Sequence, residues 1–380
     1  MKLAYCFHSL TIHGGVEKIF TVKANYLVRN YGYDITILLY NQQKRPIFFD
    51  LDSKIKIVEI EVEPSKLENK NFISRQLSFF KYRKKFIDKL QVALNEIKPD
   101  IAISLGGDEF YVLNKLKDKS IKLSEYHVTI GAFDVINENL KGLKKTLAKI
   151  SFSKFLKNIR LYKKFIVLTE GDRKEWSEFS KNIITIPNPK TFVSERVSNL
   201  DNKTAIAVGR FEPEKGFDKL IKMWADVVKR HPNWQLKLKG SGSQADFYKE
   251  LIQEFNLQNS VSLEEPSEDV SNFYLEGSIY LMASKFEGFS LVMLEAMECG
   301  LPILAYNCKY GPSELIKDGY NGFLIQPGDE SSYLKKLFML IEDSEMRKEM
   351  GKNGKEKSNN YALDTVMQKW HLLFEGLKND

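Results

Sequence analysis

The sequence predicts an α/β protein built from two successive doubly wound parallel sheets. Its 380 residues exceed one comfortable core and fit two ordinary domains. Short β-branched or aromatic runs alternate with longer stretches of helical period, as in parallel strands joined by crossover helices. That alternation breaks at Pro187-Asn188-Pro189 and then restarts.

In the first half, candidate strands at residues 3–7, 35–40, 55–62, 101–105 and 121–126 alternate with helices over 16–30 and about 74–97. Residues 165–168, a short helix around Trp176 and residues 183–186 complete this half. Pro187-Asn188-Pro189, followed by the polar stretch 194–203, reads as an interdomain linker. Beyond it, a strand at 205–208 leads into a helix over 217–229 with Leu220, Ile221, Trp224, Val227 and Val228 on one face. Further strands are expected at 236–238, 261–263, 279–282, 302–306 and 323–325, with helices between them. The last helix, 363–377, carries Val366, Trp370, Leu373 and Phe374 on one stripe.

A hydrophobic content of 43% without low-complexity tracts suits a folded enzyme or binding protein. No apolar run reaches the roughly 18 residues that span a bilayer, and no signal-peptide pattern follows Met1, so a cytoplasmic location is expected. Cys6, Cys299 and Cys308 lack paired or metal-ligand spacing and are expected reduced; the five histidines form no metal pattern either. No metal and no cofactor is expected.

The net charge of +7 is unevenly spread. Residues 141–164 include Lys144, Lys145, Lys149, Lys154, Lys157, Arg160 and Lys163 and no acid, interleaved with Leu143, Leu147, Ile150, Phe152 and Phe155. A second basic-aromatic stretch covers 79–86. Both fit either an ordinary solvated helix face or an anionic membrane surface, where each cation contributes about 1 kcal/mol. No nucleic-acid partner is expected, because no recognition module accompanies the charge.

The most informative segment is Phe286-Glu287-Gly288-Phe289-Ser290-Leu291-Val292-Met293-Leu294-Glu295. Glu287 follows a strand, at the sheet edge where ligands of open α/β sheets collect. Ser290 is placed to cap the helix that begins at Leu291, and Gly300 to end it. The bare N–H groups of such a helix start favour an anion such as a diphosphate, leaving the acids to bind hydroxyls. A nucleotide sugar has hydroxyls at both ends and a diphosphate between. Taken alone, the two glutamates also fit a turn cap and a solvated face. Upstream, Gly209-Arg210-Phe211-Glu212-Pro213-Glu214-Lys215-Gly216 follows another strand, where two cations can hold phosphates and stabilise a departing nucleotide.

Together these segments resemble the E-x7-E signature and the G-R-x(4)-K-G element of the retaining glycosyltransferases of family 4 (group 1), which have the GT-B fold of two Rossmann-like domains facing across a cleft. The resemblance implies an acceptor-binding domain over 1–190, a donor-binding domain over 191–360, and a helix over 361–380 that crosses back to the first. It implies that Arg210 and Lys215 bind the donor diphosphate, Glu295 the ribose and Glu287 the transferred sugar, with Gly288, Phe289 and Ser290 lining the pocket. Gly14 and Gly15, in His13-Gly14-Gly15-Val16-Glu17, resemble the glycine loop beneath the donor phosphates; a plain tight turn also fits. His127 resembles the family's cleft histidine, and 309–314 resembles a variant found in members that use UDP-hexoses or their N-acetylated forms.

The expected activity is therefore metal-independent, retaining transfer of a hexose or N-acetylhexosamine from a UDP-linked donor to a hydroxyl of a glycan or lipid-linked glycan of a bacterial surface polysaccharide. His127, Arg210, Lys215 and Glu287 are the expected catalytic residues. The alternatives left open are a nucleotide-sugar epimerase of the same architecture and a membrane-associated scaffold without turnover.

Overall fold

The structure, a computed structural model, describes residues 1–11, 14–60, 62, 72–138, 140–267 and 270–379, with the side chains of 72–80 and 134 outside that description. His13, residue 61 of the strand expected at 55–62, and the side chains of Phe79 and Phe80 therefore lie beyond it.

The first sheet comprises β1 (Lys2–Phe7), β2 (Asp34–Leu39), β3 (Lys56–Glu59), β4 (Ile101–Ser104), β5 (Ile121–Glu125), β6 (Lys164–Val167) and β7 (Ile183–Thr185), ordered 3-2-1-4-5-6-7 and parallel throughout. Its helices are α1 (Gly15–Tyr31), α2 (Phe72–Ile97), α3 (Gly131–Asn137), α4 (Gly142–Ile159) and α5 (Glu170–Ser177). The second sheet comprises β8 (Thr204–Val208), β9 (Gln235–Lys239), β10 (Val261–Glu264), β11 (Ile279–Met282), β12 (Ile303–Tyr306) and β13 (Gly322–Ile325), ordered 10-9-8-11-12-13 and again parallel. Its helices are α6 (Phe217–Arg230), α7 (Ala245–Glu254), α8 (Ser271–Glu276), α9 (Leu291–Glu298), α10 (Gly311–Leu315), α11 (Glu330–Glu342) and α12 (Ser344–Ser358), and α13 (Leu363–Asn379) ends the chain.

Each sheet reverses its winding once, between β1 and β4 and between β8 and β11. Crossover helices leave such a switch point on opposite faces, so the loops part and a crevice opens beyond the strands' carboxyl ends. The loops following β8 and β11 are those that hold Arg210, Lys215 and Glu287.

The strands form because both faces of each sheet are covered, which suits continuous β-branched and aromatic runs. Ile35, Ile37 and Leu39 face one core while Leu38 and Tyr40 face the other. Helix α1 buries Ile19, Phe20, Ala24, Leu27 and Val28 and stops at Gly32, whose left-handed φ of 64° lets its N–H donate back to the last carbonyls. Helix α13 returns to the first sheet, where Val366, Met367, Trp370, Phe374 and Leu377 join the core formed by Leu3, Tyr5 and Leu27.

Two local features go beyond what the sequence implied. Residues 187–190, at the expected interdomain linker, are buried. Lys190 is paired with Glu298 at 2.7 Å, and the Glu298 carboxylate also accepts from the Ser194 N–H and the Ser358 hydroxyl. Proline-rich composition signalled a break in secondary structure correctly but said nothing of this anchoring. The basic segments also divide their side chains. Phe86 and Phe155 are core residues, whereas α4 leaves Leu143, Leu147 and Ile150 at 75%, 55% and 47% exposure. Among the described residues no helix is long and apolar enough to cross a membrane.

Candidate active site

Gly216 sets how closely the loops after β8 and β11 approach. Its φ of 66° is left-handed, and a Cβ there would lie 2.3 Å from the Ala283 carbonyl oxygen, so only glycine fits. This packing brings Lys215, after β8, against Glu287, after β11. The Lys215 ammonium stands 2.7 Å from Glu287 Oε1, and the Ser284 hydroxyl donates to the same oxygen at 2.8 Å. Glu287 is buried, and its backbone exchanges hydrogen bonds with the loop after β12, receiving the Tyr310 N–H and donating to the Lys309 carbonyl. Arg210 takes no part in this cluster. Its side chain is 72% exposed and pairs with Glu214 at 2.9 Å.

Helix α9 begins just after Glu287. Ser290 occupies its N-cap position, but its hydroxyl makes no capping bond and faces Met282 Sδ at 3.6 Å instead. The expected side-chain cap is therefore corrected: the serine is buried and turned into the sheet, leaving the first N–H groups of α9 without that partner. Gly300 follows the helix with a φ of 76°, as a C′ glycine does. Phe289 is a core residue packed on Tyr361, so only its backbone can line a ligand site.

Glu295 is also buried. Its Oε1 accepts from the Thr191 hydroxyl at 2.6 Å and from the Lys18 ammonium at 3.2 Å, and its Oε2 accepts from the Tyr274 hydroxyl at 2.9 Å. Lys18 belongs to α1, beneath the first sheet, so this contact spans the two sheets. A cavity of about 490 Å³ opens beside it, lined by Lys18, Thr191, Phe192, Val270 and Leu275.

The opposing wall comes from the first sheet. Gly14 and Gly15 start α1, and a Cβ on Gly15 would lie 3.2 Å from Leu291, the first residue of α9. His127, just past β5, passes its carbonyl oxygen so close to Gly288 that a Cβ there would sit 2.3 Å away. Glycine at 288 thus permits the two loops to meet. The His127 ring is almost buried, with Nε2 3.2 Å from Glu125 Oε1. Glu17 hangs over Gly14, and burial pushes its carboxyl up.

A sequence profile of the family described as "Glycosyl transferases group 1" matches residues 190–357. A glycosyltransferase of Haemophilus influenzae, itself uncharacterized, is 31% identical over 376 residues, covering 97% of this chain and 98% of that protein. The chain belongs to the group 1 glycosyltransferases. The amylovoran biosynthesis glycosyltransferase AmsD of Erwinia amylovora is 26% identical to it over 384 residues, across 97% of this chain and 98% of that one. Among solved structures, sucrose-phosphate synthase from Thermosynechococcus elongatus superposes with a TM-score of 0.81 at 17% identity, covering 99% of this chain and 98% of that one. S. aureus TarM, in complex with UDP among other ligands, gives 0.78 at 17% identity, covering 98% and 99%. These likenesses establish the GT-B fold.

In this glycosyltransferase, Lys215 and Glu287 meet, Glu295 lies along α9 from them, and His127 meets Gly288 across the gap, while Arg210 stays outside. Sequence reasoning missed Lys18, Thr191 and Tyr274 around Glu295, and Ser284 beside Glu287. Ser284 had a weak signal, lying three residues before the acid on the same turn. Lys18 had none, since 277 positions separate it from its partner.

Proposed function

We propose that this enzyme moves a hexose or N-acetylhexosamine from a UDP-linked donor to a hydroxyl of a glycan or lipid-linked glycan in bacterial surface polysaccharide synthesis, retaining the anomeric configuration and needing no metal. The observation that carries the reading is the Lys215–Glu287 cluster at the switch point of the second sheet, beside the start of α9 and opposite His127. Relatives support the direction: a poly(ribitol-phosphate) alpha-N-acetylglucosaminyltransferase of Staphylococcus aureus is 30% identical over 55% of this chain. The pneumococcal O-GlcNAc transferase GtfA, with UDP and GlcNAc bound, superposes with a TM-score of 0.73.

In this reading the resting ion pair exchanges partners. Lys215 leaves Glu287 for the diphosphate, joined by Arg210, whose exposed pairing with Glu214 costs little to break. The start of α9 adds N–H groups to the same phosphates. Glu287, released, accepts hydroxyls of the transferred sugar, and Glu295 accepts those of the ribose. The acceptor hydroxyl attacks the anomeric carbon on the face from which the nucleotide departs. The C–O bond to the diphosphate breaks, the new glycosidic bond forms, and the acceptor proton passes to the departing phosphate oxygen. Cations placed where that charge develops lower the barrier. Closure about residues 187–189 would exclude water from the cleft.

The acceptor side carries a second element of the proposal. Helix α4 presents Leu143, Leu147 and Ile150 to solvent among Lys144, Lys145 and Lys149, a face suited to peripheral contact with an anionic membrane at the cytoplasmic side. Flotation with vesicles should depend on anionic lipid; equal binding to neutral vesicles removes this element.

The test of the activity is acceptor-dependent release of UDP with a new glycoside of unchanged anomeric configuration. A changed sugar still attached to nucleotide would identify an epimerase. Absence of turnover with every donor would favour a scaffold.

A further inference from the structure

One buried ion pair has no part in the chemistry above. Lys23, on the inner face of α1, and Glu125, the last residue of β5, pair directly, and both side chains are 2% exposed. The Lys23 ammonium lies 4.2 Å from the Trp370 ring centroid on α13 and 5.2 Å from that of Tyr5, so aromatic faces enclose it. Removing two charges from water is costly, and an apolar pair of like volume commonly holds a core as well or better. Fold stability alone therefore does not call for this pair.

What it adjoins is the cleft. Glu125 Oε2 takes Lys23, while Oε1 stands 3.2 Å from Nε2 of His127. That nitrogen is buried and makes no other hydrogen bond, so the Glu125 carboxylate is the acceptor within its reach. Burial would raise the Glu125 carboxyl, but Lys23 and then His127 outweigh it and bring it down to about 2. An ionised carboxylate can only accept, so the imidazole nitrogen facing it carries the hydrogen. In a neutral imidazole the other ring nitrogen, Nδ1, keeps its lone pair; Glu17 is the other acid that interacts with this ring.

The geometry points to Glu125, held by Lys23, as a positioning residue that fixes His127 as the Nε2–H tautomer, so that Nδ1 accepts a hydroxyl hydrogen of the bound sugar. This deepens the proposed function and rests on His127 facing the transferred sugar. It makes the wall opposite Glu287 an acceptor of hydrogen bonds too, so a sugar hydroxyl donates to each side of the cleft. The device depends on three distant parts of the chain: α1 supplies the cation, β5 the anion, and α13 the ring that seals them.

The test uses the full chain with ¹⁵N-labelled histidine. In the wild type, the His127 resonances should report hydrogen on Nε2 and none on Nδ1. Glu125→Gln should mix the tautomers and lower kcat by about tenfold or more, the lower end of what removal of a partner orienting a metal-bound histidine costs, with a smaller change in donor KM. Because Glu125→Gln strands a buried ammonium, the double variant Lys23→Met with Glu125→Gln is the deciding one: it removes both charges and keeps the volume. It should regain melting temperature but not turnover. Recovery of turnover along with stability, or hydrogen on Nδ1 in the wild type, would overturn the assignment. Sugar transfer by the wild type with normal Glu125 variants would sink this inference alone, whereas absence of transfer by the wild type would sink the proposed function itself.

Discussion

The acids on the two sides of the cleft are buried to similar extents but are partnered differently. On the second sheet, Glu287 and Glu295 are satisfied by the ends of lysine side chains, Lys215 at 18% and Lys18 at 31% exposure, and by hydroxyls. A ligand carrying phosphates and hydroxyls can replace such partners. On the first sheet, Glu125 is held by the fully enclosed Lys23, and Glu109 accepts from Tyr40, Ser104 and the N–H groups of Leu105 and Gly107. Those partners are buried side chains and backbone N–H groups of the fold itself. Under the proposed function, exchangeability of its partners, rather than burial, is what would separate a binding acid from a scaffolding one.

Glu298 sharpens the contrast, because it lies one turn beyond Glu295 on the same helix and belongs to the scaffolding kind. Glu298→Ala leaves Lys190 buried without its anion, so stability should fall by about 3–5 kcal/mol in denaturant unfolding, while donor affinity of the folded fraction stays near normal. An equal loss of donor affinity would break the distinction. Lys215→Ala removes an exchangeable partner instead. Its kcat should drop by about 10²–10³, the equivalent of roughly 3–4 kcal/mol of lost charge stabilisation, and near-normal turnover would remove the assigned role.

Acid should act on the first-sheet pair in a defined window. Glu125 has an ordinary value of 4.5 and a folded value brought down to about 2, with burial opposed by Lys23 and His127. Between those values the unfolded chain binds the proton that the folded chain refuses, so stability falls as pH drops through the window, by on the order of 3 kcal/mol. The double variant lacking both charges should show a correspondingly flatter acid limb in thermal melts; identical limbs would argue that the pair is not ionised. A further effect is expected at the meeting of the two walls. Gly288→Ala forces a methyl toward the His127 carbonyl, now 2.3 Å from the Cβ position. Parting the loops should lower kcat on the order of a hundredfold, as misplacement by about 1 Å can, with little change in melting temperature. Unchanged kcat would show that the loops do not need to touch.

Much of this was legible in the sequence because strands and helices here obey local rules. The runs around Ile35 and Ile303 are β-branched and buried on both faces, and α6 shows its apolar stripe at Leu220, Ile221, Trp224 and Val227. Lys215, Glu287 and Glu295 were legible as a spacing motif. Their partners were not, because Lys18 and Thr191 reach Glu295 from 277 and 104 positions away, and only tertiary packing brings them there. Ser290 misled for a related reason: its position is that of a cap, yet the sheet beneath gives its hydroxyl another neighbour in Met282. Charge runs were equally ambiguous, since Phe86 and Phe155 turned into the core while Leu143 and Leu147 stayed outside.

A crystal structure of the enzyme with an intact UDP-sugar tests the exchange of partners most directly. The account expects Lys215 turned from Glu287 to the diphosphate at the start of α9, with Glu295 on the ribose and Glu287 on the hexose. A diphosphate bound elsewhere, with the Lys215–Glu287 pair still closed at its resting 2.7 Å, would contradict it.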